Sequence, residues 1–294
     1  MKTKLFIISF FLILLTASTS ASVKLSKDAT ISILTCSPGN ELYSLFGHTG
    51  IRVVDKANNM DIVFNYGTFD FATQGFYFKF ARGLLPYQLS CSEFRRFLSS
   101  YIHDERSVYS QILNLDSIQK QYLMDLLVEN HEPANREYLY NFLYDNCSTR
   151  VRDIIEKSTG NQITWIAQPS TKSFWNLLDE YLGRSPWIQW GIHTILGSPA
   201  TSTATIHEQM FLPDYLMYRL DSAAYNGTPL VQPIETVYEA PEQDLSTPWY
   251  FSPFFVFAIC TLALILFLQK VKSLLPSVFL LMRGIRSTDL PWRH

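Results

Sequence analysis

Two residues of this sequence have types and local settings suited to nucleophilic chemistry, His48 and Cys147. His48 stands between Gly47 and Gly50 at the start of an alternating, β-branched run, which predicts that it opens a strand. Cys147 directly precedes a segment in which apolar residues recur at helical spacing, which predicts that it opens a helix. An imidazole that takes the proton of a thiol makes the sulfur a strong nucleophile. We therefore interpret the two residues as a Cys–His dyad.

The predicted position of Cys147 at a helix N-terminus favours this chemistry. Such an end carries unpaired N–H groups and about half a positive charge, which stabilise a thiolate. The same N–H groups can receive the oxyanion of a tetrahedral intermediate. A lone Cys or His is more often structural, so on spacing alone a small buried thiol and a structural imidazole remain the alternative.

The elements around the dyad predict an α+β fold. A polar turn separates two β-branched runs, which indicates a β-hairpin, and later segments show helical periodicity. Ser117 is available to cap the first helix, and Asp145 or Asn146 the second. The predicted strands are residues 29–35, 48–54 and 61–65, with further strands within 75–87 and 107–113, and the predicted helices are 117–130, 148–157 and 173–182.

Both ends of the chain predict export and membrane attachment. Lys2 and Lys4 precede an apolar run over residues 5–15, and small residues follow, which is typical of a signal peptide cleaved near Ser20 or Ala21. An uncleaved membrane anchor is the alternative. Residues 251–268 are 18 uncharged residues, just enough to cross a bilayer, although a buried soluble helix remains possible.

These signals divide the chain into four parts. We expect a signal peptide (1–21), a periplasmic catalytic domain (22–247), a transmembrane helix (249–269) and a short basic cytoplasmic or interfacial tail (270–294). The basic residues after the span place the C-terminus in the cytoplasm by the positive-inside rule. The expected location is therefore a bacterial inner membrane, with the catalytic domain facing the periplasm.

Composition narrows the classes of function. The net charge of −2 and the absence of a Lys/Arg run argue against nucleic-acid binding. The 15% aromatic content suits a lipid interface, but a large core is the commoner reason for it. Neither C-x-x-C nor H-E-x-x-H spacing is present, so no metal or other cofactor is expected. An exported compartment permits a Cys36–Cys91 disulfide, which sequence alone does not establish.

Longer motifs carry a resemblance to known families. A His heading a strand hairpin, followed much later by Asn-Cys-x-x-x-Val opening a helix, resembles the circularly permuted branch of the NlpC-type papain-like fold, which includes lecithin:retinol acyltransferase and its relatives. The segments 47–52, 65–71, 145–147 and 210–215 (GHTGIR, NYGTFDF, DNC and MFLPDY) resemble the Lnb periplasmic-domain family of Bacteroidetes, which includes a lipoprotein N-acyltransferase.

The resemblance implies a reaction and a set of site residues. Cys147 would accept an acyl chain from a membrane phospholipid as a thioester and pass it to the α-amine of a diacylglyceryl-modified N-terminal Cys on a lipoprotein, with His48 as acid and base. Asn65 would orient the imidazole. The residues expected to bind substrate are Arg52, Tyr66 and Tyr43, although an exposed strand arginine is the plainer account of Arg52.

Two other classes of function remain open at this point. A cysteine peptidase or amidase acting on cell-wall peptides uses the same dyad in this fold, but needs an open polar groove rather than an acyl site. A non-enzymatic membrane protein that keeps the fold for binding would tolerate the loss of the Cys147 thiol.

Overall fold

The computed structural model describes residues 23–70, 72–75, 79, 84–166, 170–183, 185–241 and 248–286, with side chains as far as residue 273. The predicted signal peptide and the last eight residues of the predicted tail lie outside these ranges. The chain forms two compact units. The first comprises Met1–Thr171 and Ala204–Pro241, and the second comprises Lys172–Thr203 and Glu242–His294.

The first unit is built on an antiparallel sheet, which confirms the α+β class. Seven strands pair in the order β10-β5-β1-β2-β3-β4-β6, and β7-β8-β9 form a separate small sheet. The strands are β1 (Thr30–Cys36), β2 (His48–Asp55), β3 (Met60–Thr68), β4 (Pro86–Glu93), β5 (Val108–Ile112), β6 (Glu137–Leu139), β7 (Ile163–Thr164), β8 (Ala224–Tyr225), β9 (Thr228–Pro229) and β10 (Glu235–Tyr238).

Helices cover both faces of the sheet. On one face Ile33, Ile51 and Phe64 join a large buried cluster with residues of the helices that follow β5 and β6, and on the other Leu34 and Val63 pack with the helix that follows β4. The described helices of this unit are α1 (Phe94–His103), α2 (Ser117–His131) and α3 (Cys147–Ser158), and, after two helices of the second unit, α6 (Ile206–Gln209) and α7 (Pro213–Ser222).

The second unit contains α4 (Phe174–Leu182), α5 (Pro186–Leu196) and α8 (Pro253–Arg286). Residues 253–273 of α8 are long and apolar enough to cross a membrane, and none of residues 254–273 is buried. The alternative of a buried soluble helix is therefore wrong for α8. The helix continues to Arg286, through the first part of the predicted tail.

Three details differ from the expectations. Asp116, not Ser117, caps α2, because its carboxylate accepts from the amides of Ile118 and Gln119 in a capping box. The strand expected within 75–87 lies at Pro86–Glu93 instead, although residues 76–78 and 80–83 lie outside the described ranges.

The Cys36–Cys91 disulfide is not formed, and both thiols are free. Cys36 lies on β1 and Cys91 on β4, with β2 and β3 between them. Three strand spacings amount to about 14 Å. A disulfide needs Cα atoms less than about 7 Å apart, so the sheet itself keeps the two sulfurs apart.

Candidate active site

His48 is the first residue of β2, and the glycine before it sets its entry into the sheet. Gly47 has a φ of +79°, and a Cβ built there would lie 2.7 Å from the carbonyl oxygen of Cys36. Only glycine adopts this conformation and this close approach without strain. The turn is tied to the loop before it by a hydrogen bond from the Gly47 amide to the Ser44 carbonyl. His48 itself is half-buried.

Asn65 lies on β3, beside His48 in the sheet. The last registered pair between the two strands is Ile51 with Phe64, so one more step places Asn65 opposite Gly50 and diagonal to His48. Its Oδ1 is hydrogen-bonded to Nε2 of His48. An amide oxygen is an acceptor only, so Nε2 carries the proton and donates it. This fixes the tautomer and leaves Nδ1 to face a proton donor.

Cys147 is the first residue of α3, which packs against β2 and β3. Asn146 caps the helix: its Oδ1 accepts from the amides of Ser148 and Thr149, while the Thr149 hydroxyl accepts from the Asn146 amide. The Asn146 side chain also donates to the carbonyls of Phe142 and Phe211, which ties the helix start to its surroundings. The thiol therefore lies in a rigid setting, with only 9% of the residue exposed.

The pKa of the Cys147 thiol is lowered. Burial alone raises it, but the positive charge of a protonated His48 and hydrogen bonds to the sulfur from His48, the Thr49 amide and the Ser148 hydroxyl outweigh burial. Hydrogen bonds to a charged form favour that form. Asn65, His48 and Cys147 are thus joined in a hydrogen-bonded series, which ends at a sulfur whose pKa is lowered.

For three tyrosines the charge of Cys147 is the largest influence on the pKa after burial. After burial, the nearby Cys147 thiolate is the next cause that raises the pKa of Tyr87, to about 12, and of Tyr138 and Tyr140. Tyr87 stacks on Tyr140 with ring centroids 4.2 Å apart, and it meets Phe69 edge-on at 5.2 Å. The dyad therefore has an aromatic wall beside it.

Comparison with protein families gives one match that covers the three residues of this series. The Lnb N-terminal periplasmic domain family matches residues 17–179, more than half of the chain, and the match includes His48, Asn65 and Cys147. The chain belongs to this family. Its family and the apolar α8 together fit a membrane-anchored protein with a periplasmic domain. No curated protein and no solved structure matches the chain.

The residues expected to bind substrate lie at different distances from the dyad of this Lnb-family domain. Arg52 is four residues along β2 from His48, which is about 13 Å. Its guanidinium pairs with Asp61 at 2.7 and 2.8 Å and lies over the Phe94 ring, so its charge already has partners. A role in phosphate binding stays a prediction for Arg52.

Tyr66 and Tyr43 differ in exposure. Tyr66 is 2% exposed and accepts a hydrogen bond from Asn130, so it belongs to the core beneath the site. Tyr43 is 54% exposed, and its ring centroid lies 6.0 Å from that of Phe69, at the outer end of the aromatic wall. Of the two tyrosines, Tyr43 is the one that a substrate can reach from solvent.

Several site residues were not anticipated from the sequence. Thr49 and Ser148 are direct chain neighbours of the dyad, and both are fully buried small polar residues. A small polar residue next to each member of the dyad is the signal that could have identified them. Tyr138 and Tyr140 lie in a stretch without clear periodicity and reach the site only because β6 pairs with β4. Nothing local in the sequence indicates that pairing.

Among the described residues, one group has metal-binding types: Asp153, Glu156 and His207, whose ligand atoms lie within 4.8 Å of one another. Protein partners already occupy them. Asp153 pairs with Arg152 at 2.6 Å, and Glu156 accepts from Trp165 at 2.9 Å and lies 3.2 Å from His207. We assign this group to the attachment of α3 to its neighbours.

Proposed function

We propose that this protein is a thiol-dependent acyltransferase of the inner membrane, which moves an acyl chain from a phospholipid to the α-amine of the N-terminal diacylglyceryl-Cys of lipoproteins. The observation that carries the proposal is the hydrogen-bonded series Asn65–His48–Cys147, with the sulfur at the first position of α3 and its pKa lowered. Membership of the Lnb family and the apolar α8 support it.

The same series supports a permuted papain-like fold. In that arrangement an imidazole on a strand meets a thiol at the start of a helix packed on the sheet, and here the His precedes the Cys in the chain. β2, β3 and α3 provide those three parts, with Asn65 as the residue that orients the ring.

In the first half-reaction, the Cys147 sulfur attacks the carbonyl carbon of a phospholipid ester. The thiol proton passes to Nδ1 of His48, which gives it to the departing glycerol oxygen as the C–O bond breaks. The products are a lysophospholipid and a thioester between the acyl chain and Cys147. The Asn65 oxygen stabilises the imidazolium that forms between these steps.

In the second half-reaction, the α-amine of the lipoprotein attacks the thioester. His48 takes a proton from the amine and returns it to sulfur as the C–S bond breaks, which leaves an amide and the free thiol. Both tetrahedral intermediates bear an oxyanion. Because Asn146 occupies the amides of Ser148 and Thr149, the Cys147 amide is the helix-end donor that we assign to this oxygen.

The surroundings of the thiol favour an acyl substrate over a peptide. Phe69 lies between Tyr87 and the exposed Tyr43, so an aromatic surface extends from the site towards solvent. Aromatic rings offer large apolar area to an alkyl chain. A peptidase would need polar groups along its groove to pair with the substrate backbone.

The experiment that tests the proposal weighs the lipidated N-terminal peptide of a reporter lipoprotein produced beside the full chain. With the intact protein we expect one added N-linked acyl chain, and with Cys147→Ala a free amine. Cys91→Ala is the matched control, because Cys91 is also a free thiol but lies on β4, away from the dyad. It should leave acylation intact.

The remaining outcomes are also informative. A free amine with the intact, folded protein would overturn the proposal, and release of cell-wall peptides that needs Cys147 would establish the hydrolase instead. Acylation that persists in Cys147→Ala would contradict the thioester route. Intact protein trapped with an acyl mass on the peptide containing Cys147 would support it directly.

A further inference from the structure

α5 is an apolar helix whose residues are not buried within its own unit. Its sequence, PWIQWGIHTIL, contains no Asp, Glu, Lys or Arg, and none of its eleven residues is buried. Trp190 is 51% exposed and Ile195 is 71% exposed. An exposed helix of a soluble domain normally has charged residues on its solvent-facing side. α5 has no Asp, Glu, Lys or Arg for such a side.

One face of α5 attaches it to α4. Gln189 donates to Asp179 at 2.7 Å, and Nε2 of His193, one turn later, lies 2.8 Å from the same carboxylate. The His193 ring stacks on Trp175 with centroids 4.7 Å apart and planes within 7°. Gln189 and His193 are therefore used on this face.

A second face attaches it to the start of α8. The Trp187 indole N–H donates to the Phe251 carbonyl at 2.6 Å, and the rings of Trp187 and Trp190 lie 5.6 and 5.4 Å from that of Phe257. Phe257 is four residues into α8, about 6 Å along its axis. This contact places α5 at the level where α8 would enter a bilayer.

The third face consists of Ile188, Ile192 and Ile195, which helical spacing sets on one side, away from both attached faces. Trp249, Tyr250 and Phe254, at the head of α8, are 72%, 55% and 86% exposed. Tryptophan and tyrosine concentrate where a bilayer meets water. α5 and the head of α8 together therefore present exposed aliphatic and aromatic residues of interfacial composition.

We propose that α5 lies in the outer leaflet of the membrane crossed by α8, with its isoleucine face among the acyl chains and its indoles at the headgroup level. The inference rests on α8 crossing the membrane, and it is independent of the reaction at Cys147. Neighbouring helices hold α5 in place, its apolar third face suits the acyl chains, and its indoles suit the headgroup level.

Photo-crosslinking in the full chain tests this. Benzoylphenylalanine replaces Ile195 in protein reconstituted into phosphatidylethanolamine–phosphatidylglycerol vesicles, and lipid adducts are measured by mass spectrometry after illumination. Ile265, which lies in the apolar stretch of α8, is the positive control, and Ile118, which is 80% exposed on α2, is the negative control. All three side chains are exposed, so their replacement leaves the cores intact.

We expect lipid adducts at Ile195 in a fraction comparable with Ile265, and none at Ile118. A result at Ile195 that matches Ile118, or adducts to protein alone, would overturn the proposal. Absence of lipid adducts at Ile265 would overturn it as well, by removing α8 from the bilayer. None of these measurements depends on acyltransferase activity. The proposed position of α5 and the proposed reaction at Cys147 can therefore be disproved independently.

Discussion

Thr49 and Ser148, which are 99 residues apart, join their hydroxyls at 2.8 Å in a fully buried contact between β2 and α3. The Ser148 hydroxyl also donates to the Cys147 sulfur, and it has only one proton. Thr49 must therefore supply the proton of the bond between the two hydroxyls. Since the Thr49 amide donates to the same sulfur, strand and helix together hold the thiolate.

Ser148→Ala should raise the pKa of Cys147, because the thiolate loses a hydrogen bond, and a hydrogen bond to a charged group is worth roughly 1.5–3 kcal/mol. Thr49→Val should raise it less, since Ser148 can still donate to sulfur. The measurement is the rate of iodoacetamide alkylation of Cys147 against pH.

Ser158→Ala is the control for that shift. Ser158 is also buried on α3, but its hydroxyl donates to the Ile155 carbonyl at the far end of the helix. Its alkylation profile should match that of the unmodified protein. If the Ser148→Ala profile matched it too, the hydroxyl pair would have no part in holding the thiolate.

Gly47→Ala should destabilise the protein more than Gly227→Ala. Both glycines have a positive φ, +79° and +78°, so both substitutions cost about 1 kcal/mol or more in backbone strain. Only at Gly47 does the new Cβ also meet backbone, the Cys36 carbonyl at 2.7 Å. Thermal unfolding of the full chain in detergent measures the difference, and equal losses would show that the close approach relaxes at no cost.

The sequence predicted the parts of the site whose signals are local. Alternation places His48 at the head of β2, and helical spacing after Asn146 places Cys147 at the head of α3, where the structure has both. Asn65 followed from the hairpin and the family resemblance. The roles of these residues in catalysis remain predictions that the experiments above address.

What escaped prediction depends on contacts between distant segments. β10 pairs with β5 across more than a hundred residues, and β6 brings Tyr138 to the site by pairing with β4. α5 escaped for a different reason. The three faces of α5 meet a carboxylate, an aromatic ring and open surface. Apolar residues therefore lie on all sides of the helix, and its sequence shows no clear hydrophobic period of 3.6 residues.

Asp55 gives a prediction for the pH dependence of stability. Hydrogen bonds from the Ser26 hydroxyl and amide, at 2.6 and 2.7 Å, lower the pKa of this carboxyl from 3.8 to about 2, with Asn58 donating as well. A lowered pKa in the folded state means stability that is present above pH 3.8 and lost as the pH falls through 2. Asp55→Asn should therefore unfold at a lower temperature near pH 7, with a difference that narrows below pH 4. A difference independent of pH would show that the carboxylate charge contributes nothing.

Substitutions of Asn65 test whether the orientation of the His48 imidazole limits turnover. Asn65→Ala removes the acceptor of the Nε2 proton, so the ring can turn away from sulfur, and acyl transfer should fall by about a hundredfold. The thiol should still be alkylated, because the Thr49 amide and the Ser148 hydroxyl continue to stabilise the thiolate. Asn65→Asp keeps an acceptor of the same length and should retain more transfer than Asn65→Ala. The comparison uses the initial rate of reporter acylation alongside the rate of alkylation. Equal transfer by the Ala and Asp variants would show that the hydrogen bond to His48 plays no part in positioning the ring.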